Sequence, residues 1–356
     1  VDYYHVDRRL GTDETLANLS TALHANGIRL VLDGVFNHVG REFWAFRDVQ
    51  AHGWDSPYRD WFHNLRFDGR STYGDPFTYE GWAGHYSLVK LNLRNPAVRE
   101  HLFGAIDHWL EAFHIDGLRL DAADVIEPDF LKELAVFCKA RDPNFWLMGE
   151  IVHGDYRRLV GPQMLDSATN YECYKGLYSS LADGNYFEIA YAINRQFGEA
   201  GVYQGLPLYN FVDNHDVNRV ASNLPAAELL YPLYCLLFTM PGAPSIYYGS
   251  EWGLTGVRSK FSDRPLRPAL NLEQARRSSP NRDLAATIAR LARLRCETTA
   301  LRMGNYRQLA VSHKQYAFAR FTDQEYVVVL LNAAEKAEPM EGAVPANTTG
   351  AVDLLN

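Results

Sequence analysis

The sequence predicts an α/β fold built on a parallel sheet, and three observations carry that reading. Helical and extended patterns alternate along the chain, each extended run is continuously apolar, and acidic residues follow several of those runs. Continuous apolar strands separated by helices belong to a sheet covered on both faces. A doubly wound sheet and a (β/α)8 barrel both satisfy the alternation; the acids separate them. Asp33, Asp121, Glu150 and the run Asp213 to Asp216 all close strands. In a barrel those C-terminal ends converge on one mouth, where barrel enzymes place their chemistry. A doubly wound sheet wants a glycine-rich phosphate loop after its first strand. Neither G-x-G-x-x-G nor a Walker motif occurs here.

Taken in order, residues 13–26 read as a helix with Leu16, Leu19 and Leu23 on one face and Gly27 as the stop. Ile28 to Leu32 is a short strand running into Asp33. Pro96 to Phe113 reads as a long amphipathic helix with proline in its first turn. Strands follow over Ile115 to Leu120, Phe145 to Met148, up to Asn170, Leu208 to Val212 and Ala243 to Tyr248. Helices are predicted over Phe130 to Ala140, Tyr186 to Phe197, Leu229 to Thr239 and Leu284 to Glu297. Residues 39–92 have no such rhythm and hold 13 aromatics in 54 residues, among them Trp44, Trp54, Trp61 and Trp82. That stretch reads as an inserted domain. Beyond Thr299 the pattern turns to short strands, Tyr316 to Phe321 and Tyr326 to Leu331, which is β-hairpin language. The expected organisation is a catalytic barrel over 1–298 carrying an inserted domain over 39–92, then a partial antiparallel β domain over 299–356.

Composition removes several function classes. The net charge is −8 and no run of Lys and Arg forms a basic stripe, which argues against nucleic acid or an anionic membrane as partner. With 47% apolar and 22% charged residues the chain is an ordinary globular one, not disordered or collagen-like. The longest apolar stretch, Leu229 to Tyr248, is broken by Pro232, Pro241 and Pro244 and does not read as a membrane span. Cys138, Cys173, Cys235 and Cys296 form no C-x-x-C pair, so neither a zinc site nor a disulfide framework is indicated. Scattered thiols and the lack of a signal-peptide pattern give a cytoplasmic location as the expectation.

Three acidic sites carry the candidate chemistry. Arg119 stands two residues before Asp121 on one strand, so both face the same side and the cation holds the carboxylate ionised. Glu150 follows an apolar run, an environment expected to keep a carboxyl group protonated as a general acid. Asp213-Asn214-His215-Asp216 closes a third strand. One ionised and one protonated carboxyl group is what glycosidic cleavage needs, and loops rich in Trp and Tyr suit the apolar faces of sugars. Acids at strand ends also serve as helix N-caps, but three of them with His38 and His215 nearby favour a site.

The motifs Asp33-Gly34-Val35-Phe36-Asn37-His38, Gly117-Leu118-Arg119-Leu120-Asp121, Gly149-Glu150 and Phe211-Val212-Asp213-Asn214-His215-Asp216 resemble, in order and spacing, the four signature regions of glycoside hydrolase family 13, the α-amylase family. The resemblance implies a retaining mechanism, with Asp121 as nucleophile, Glu150 as acid/base and Asp216 as the third carboxylate. His38, Arg119 and His215 match residues lining the sugar subsite. Leu88-Val89-Lys90-Leu91-Asn92 resembles a fifth region of the neopullulanase and cyclomaltodextrinase group, which adds Lys90 as a substrate-binding residue; Val125, after the nucleophile, departs from that group.

The expected activity is hydrolysis of α-1,4 bonds in maltodextrins, starch or cyclodextrins. The alternatives are a transglycosylase using the same carboxylates and a non-catalytic sugar-binding or transporter-associated protein, a class that loses one or more of the three acids. No cofactor is required. Asn37 matches a residue that binds structural calcium in many α-amylases, and is read here as a hydrogen-bonding residue; no metal site is assigned. The partner expected is an α-glucan.

Six strands can be counted where the resemblance implies eight. The expectation is therefore a (β/α)8 TIM barrel lacking its first two strands in this chain, a fragment of a longer enzyme. Among the remaining residues, the sequons at Asn18 and Asn347 read as chance, and His101, His108 and His114 as surface residues of one helix and its end.

Overall fold

The computed structural model describes residues 1–260, 262–340, 344 and 348–355, so Asn347 lies outside the described residues. The chain forms two compact units, 1–168 and 169–356.

In the first unit α1 (Asp13–Ala25) starts on a reciprocal cap: Thr12 Oγ1 accepts from the Thr15 amide, and Thr15 Oγ1 accepts from the Thr12 amide. Then come β1 (Val31–Gly34), β2 (His38–Gly40), α2 (Trp44–His52), β3 (Gly81–Trp82) and β4 (His85–Lys90). Helix α3 (Pro96–Phe113) is capped by Asn95, whose side chain accepts from the Ala97 amide, and ends on left-handed His114. After it follow β5 (Gly117–Leu120), α4 (Pro128–Arg141), β6 (Trp146–Gly149) and β7 (Ser167–Ala168). The strands β1-β5-β6-β7 form one parallel sheet. Its register sets Asp33 beside Arg119, and Leu120 beside Gly149. Gly117 is required there, because a Cβ would stand 2.4 Å from the Trp146 carbonyl oxygen.

The 39–92 stretch contains an antiparallel sheet, ordered β2-β4-β3, together with α2. Strands of two to six residues and a nine-residue helix leave no readable period, which is why the sequence gives none. Its aromatics form their own core. Phe46 is fully buried, with Phe62, Phe77 and Tyr79 edge-on at 5.0, 5.9 and 5.0 Å, pairings worth about 0.5–1.5 kcal/mol each beyond burial.

One expectation on α3 is corrected. His101 and His108 are not surface decoration: both are half-buried, and each has a buried Nε2 with no hydrogen-bond partner. The His101 ring packs among Tyr3, Tyr4, Phe43, Trp44 and Trp61. Its position on the helix faces the N-terminal tyrosines, which the helical period alone does not reveal. His114 is exposed, as expected.

The second unit holds α5 (Tyr171–Ala182), α6 (Phe187–Phe197), β8 (Tyr209–Asn210), α7 (Leu230–Thr239), β9 (Ala243–Pro244), α8 (Leu272–Ser278), α9 (Leu284–Glu297), α10 (Thr299–Met303), β10 (Asn305–Val311), β11 (Gln315–Phe321) and β12 (Tyr326–Asn332). Thr169 bridges Tyr209, and β8 pairs with β9, both in parallel. Helix α5 escapes sequence reading because its polar run carries no clean stripe; Gly176 in it lets the Ile189 backbone approach to 3.2 Å of where a Cβ would sit. Buried amides organise this unit: Asn170 Nδ2 donates to Gln196 Oε1 at 2.9 Å and to Asn210 Oδ1 at 2.8 Å, and Gln196 Nε2 donates back to Asn170 Oδ1.

Strands β10, β11 and β12 form an antiparallel sheet. Two buried arginines close the end of α7. Arg295 of α9 donates to the carbonyls of Phe238, Met240 and Gly242, and Arg320 of β11 to those of Thr239 and Gly304. Burial pulls them down to about 10 and about 9, so both stay charged at neutral pH, where they suit the negative end of a helix. Among the described residues no helix is long and apolar enough to cross a membrane.

Candidate active site

The site in the first unit grows from the alternation of β5. Leu118 and Leu120 are fully buried, so Arg119 and the following Asp121 turn to the other face. Arg119 Nη1 lies 2.9 Å from Asp121 Oδ1 and 3.6 Å from Asp33 Oδ1, while Nη2 lies 2.9 Å from Glu150 Oε1. One guanidinium therefore bridges both candidate carboxylates. Burial alone would weaken its hold on the proton, but Asp33, Glu150 and Asp121 outweigh that and push it above its ordinary value.

Ala122 follows in a left-handed turn, φ 48°, and its amide donates to Glu150 Oε2 at 3.4 Å. The Ala123 amide donates to the Glu150 carbonyl at 2.9 Å. Leu147, Met148 and Ile151, neighbours of Glu150 in the chain, are buried, and the Arg119 cation stands against its carboxylate.

His38 is buried, and its Nε2 is 3.9 Å from Asp121 Oδ2. The Asn37 amide reaches His38 Nδ1 at 3.2 Å, which makes Nδ1 the acceptor and leaves the hydrogen on Nε2, toward Asp121. Burial holds this imidazole below its ordinary pKa, with Asp121 opposing. Trp82 stacks on the His38 ring at 5.4 Å and 27°. Lys90 is the register partner of His38 across β2 and β4. Its Nζ is paired with Glu80 Oε1 at 2.9 Å, and Glu80 Oε2 meets His63 Nδ1 at 2.6 Å and Asn64 Nδ2 at 2.7 Å.

In the second unit the Asp213 to Asp216 run divides. Asp213 is buried, accepting from the Val220 amide at 2.9 Å and Ser250 Oγ at 2.7 Å. Asp216 is accessible: Oδ2 lies 3.2 Å from His215 Nε2 and Oδ1 3.3 Å from Arg267 Nη2, and its carbonyl accepts from Arg258 Nη1 at 2.9 Å.

The structure thus gathers His38, Lys90, Arg119, Asp121 and Glu150 in one unit and pairs His215 with Asp216 in the other. Sequence reading missed four participants. Asp33 was visible as a strand-end acid but received no role, and the β1–β5 register supplies it. Glu80, Arg258 and Arg267 carry no motif or period that would have marked them. Among the described residues no group of three or more His, Cys, Asp or Glu is placed to hold a metal ion. Asn37 is buried, and its carbonyl accepts from the Leu91 amide at 3.0 Å.

Residues 1–293 match the family described as alpha amylase, catalytic domain. The chain belongs to the α-amylase family. Membership carries the (β/α)8 barrel as its fold class. Among α-amylase relatives, a cyclomaltodextrinase from a Bacillus species is 32% identical over 338 residues, covering 93% of this chain and 59% of the relative. Neopullulanase 2 of Thermoactinomyces vulgaris is 33% identical over 339 residues, covering 93% and 56%. Among solved structures, the cyclic α-maltosyl-(1→6)-maltose hydrolase of Arthrobacter globiformis, in complex with its cyclic sugar, aligns with a TM-score of 0.83 at 30% identity, covering 93% of this chain and 73% of that one. The chain thus spans less than two thirds of the length of the curated relatives.

Proposed function

We propose that the protein containing this chain is a retaining α-glycoside hydrolase that cleaves α-1,4-glucosidic bonds in maltodextrins, starch or cyclodextrins. The observation that carries this reading is the Arg119 bridge. Two carboxylates, each 2.9 Å from a separate nitrogen of one guanidinium, close the paired strands β5 and β6. That favours the spacing of about 5–5.5 Å used by retaining enzymes over the roughly 6.5–9.5 Å that inverting enzymes need for a water.

In this mechanism Asp121 attacks the anomeric carbon as Glu150 gives its proton to the departing glycosidic oxygen. A covalent glycosyl-enzyme forms. Glu150 then takes a proton from water, whose oxygen displaces Asp121 at the same carbon. Arg119, His38 and Lys90 line the sugar subsite, and Asp216 with His215 takes the role its motif implies, holding sugar hydroxyls. Carboxylates and water suffice for this chemistry, so no cofactor is invoked, and Asn37 serves as a hydrogen-bonding residue. We further propose 1–298 as catalytic barrel, 39–92 as inserted domain and 299–356 as β domain, with an α-glucan as partner and a cytoplasmic location.

The test is anomer-resolved NMR of the first product released from a maltodextrin by the full-length protein. An α product is expected, and a β product means inversion and a different mechanism. Asp121→Asn and Glu150→Gln should each lower kcat by several orders of magnitude, and near-normal turnover in either removes the assignment.

A further inference from the structure

The β3–β4 hairpin that presents Trp82 has a second side. Between its turn and the paired residues Arg66 and Thr78 lies a hollow of about 630 Å³, within the roughly 300–1,000 Å³ usual for small-molecule sites. Its aromatic wall is Tyr86, 40% exposed. Tyr79 fixes that residue, donating from its hydroxyl to the Tyr86 carbonyl at 2.7 Å and meeting the ring edge-on at 5.8 Å and 82°. Around the ring stand Asn64, Arg66, Thr78 and Glu80. Arg66 is exposed, and its guanidinium has no hydrogen bond or ion pair among the described residues. A fixed ring offering an apolar face beside a fan of donors and acceptors fits a pyranose, which has an apolar face and a rim of hydroxyls. Glu80 ties the hollow to the catalytic side, through its ion pair with Lys90 opposite His38.

We propose that this hollow is an accessory subsite that takes a glucosyl unit of the substrate chain remote from the bond being cleaved, with Tyr86 as platform and Arg66 as donor. The proposal rests on the α-glucan reading above. It predicts a dependence on chain length.

In the full-length protein, Tyr86→Ala should raise KM for maltoheptaose by about tenfold, the loss of one stacking contact, leaving kcat and the KM for maltotriose unchanged. Arg66→Ala should act in the same direction, and Tyr86→Phe should restore the parent value. An unchanged KM for maltoheptaose, or an equal rise for both substrates, overturns the subsite while leaving the hydrolase reading intact. Should the parent cleave no α-glucan, the hydrolase reading fails by itself, and titration with maltoheptaose still decides. Weaker binding by Tyr86→Ala than by the parent supports the subsite; equal binding, or none by the parent, overturns it.

Discussion

Arg119 donates from Nη1 to Asp121 Oδ1 at 2.9 Å while its Nη2 forms an ion pair with Glu150 Oε1 at the same distance. A planar fork can serve two carboxylates at once; a lysine ammonium is a single point of charge. Arg119→Lys should therefore lower kcat by at least about a hundredfold, the scale of losing a preorganised electrostatic contact, and displace the pH–rate profile. Steady-state kinetics across pH check this, and a parent-like profile would mean the bridge is structural only.

His101 offers a stability test independent of catalysis. Burial holds it below its ordinary value of 6.5, with Asp2 opposing. Such a histidine takes up its proton more readily when unfolded. Stability therefore falls as pH drops from about 6.5 toward the folded-state value and levels off below it. His38 contributes with the same sign. His101→Phe retains an aromatic ring and removes the titration and the unpartnered Nε2, so the fall in Tm over this window should be shallower than in the parent. Thermal melts at several pH values measure it, and an unchanged slope would show that His101 does not titrate on unfolding.

Gly81 is the tightest point of the β3–β4 hairpin. A Cβ there would lie 2.5 Å from the His85 carbonyl oxygen. Gly81→Ala should cost about 1–3 kcal/mol, the usual range for forced backbone shifts, and lift Trp82 off His38. Urea unfolding and tryptophan emission report the two effects separately.

Asp213 tests the opposite sign of linkage. Burial raises its pKa from 3.8, and its Oδ1 is buried without a partner. An acid raised on folding destabilises the fold as pH climbs through 3.8 toward the folded-state value. Asp213→Asn keeps the shape without the charge and should raise Tm at pH 7. Asp213→Ala, which strands the Val220 amide and Ser250 hydroxyl, should lower it.

What could be read from the sequence follows the physics of each element. Helix α3 was legible to both ends because a proline opens it and its apolar stripe runs unbroken. Arg119 and Asp121 were legible because strand alternation is local. The cation beside Glu150 was not, since it depends on the β5–β6 register between residues 31 apart in the chain. Arg267 on Asp216 comes from a stretch without period or motif. Strand β10 stayed hidden because Tyr306 is its one buried residue.

The arginines at the end of α7 bear on how the chain tolerates being cut. Arg295 precedes the short helix α10 and Arg320 follows it, yet both hold carbonyls from the same few residues of α7. A protease nick between residues 298 and 305 that let the terminal sheet drift away would leave Thr239 with an unanswered buried oxygen. Limited digestion should accordingly release no durable fragment ending there, and α7 should lose hydrogen-exchange protection together with β11.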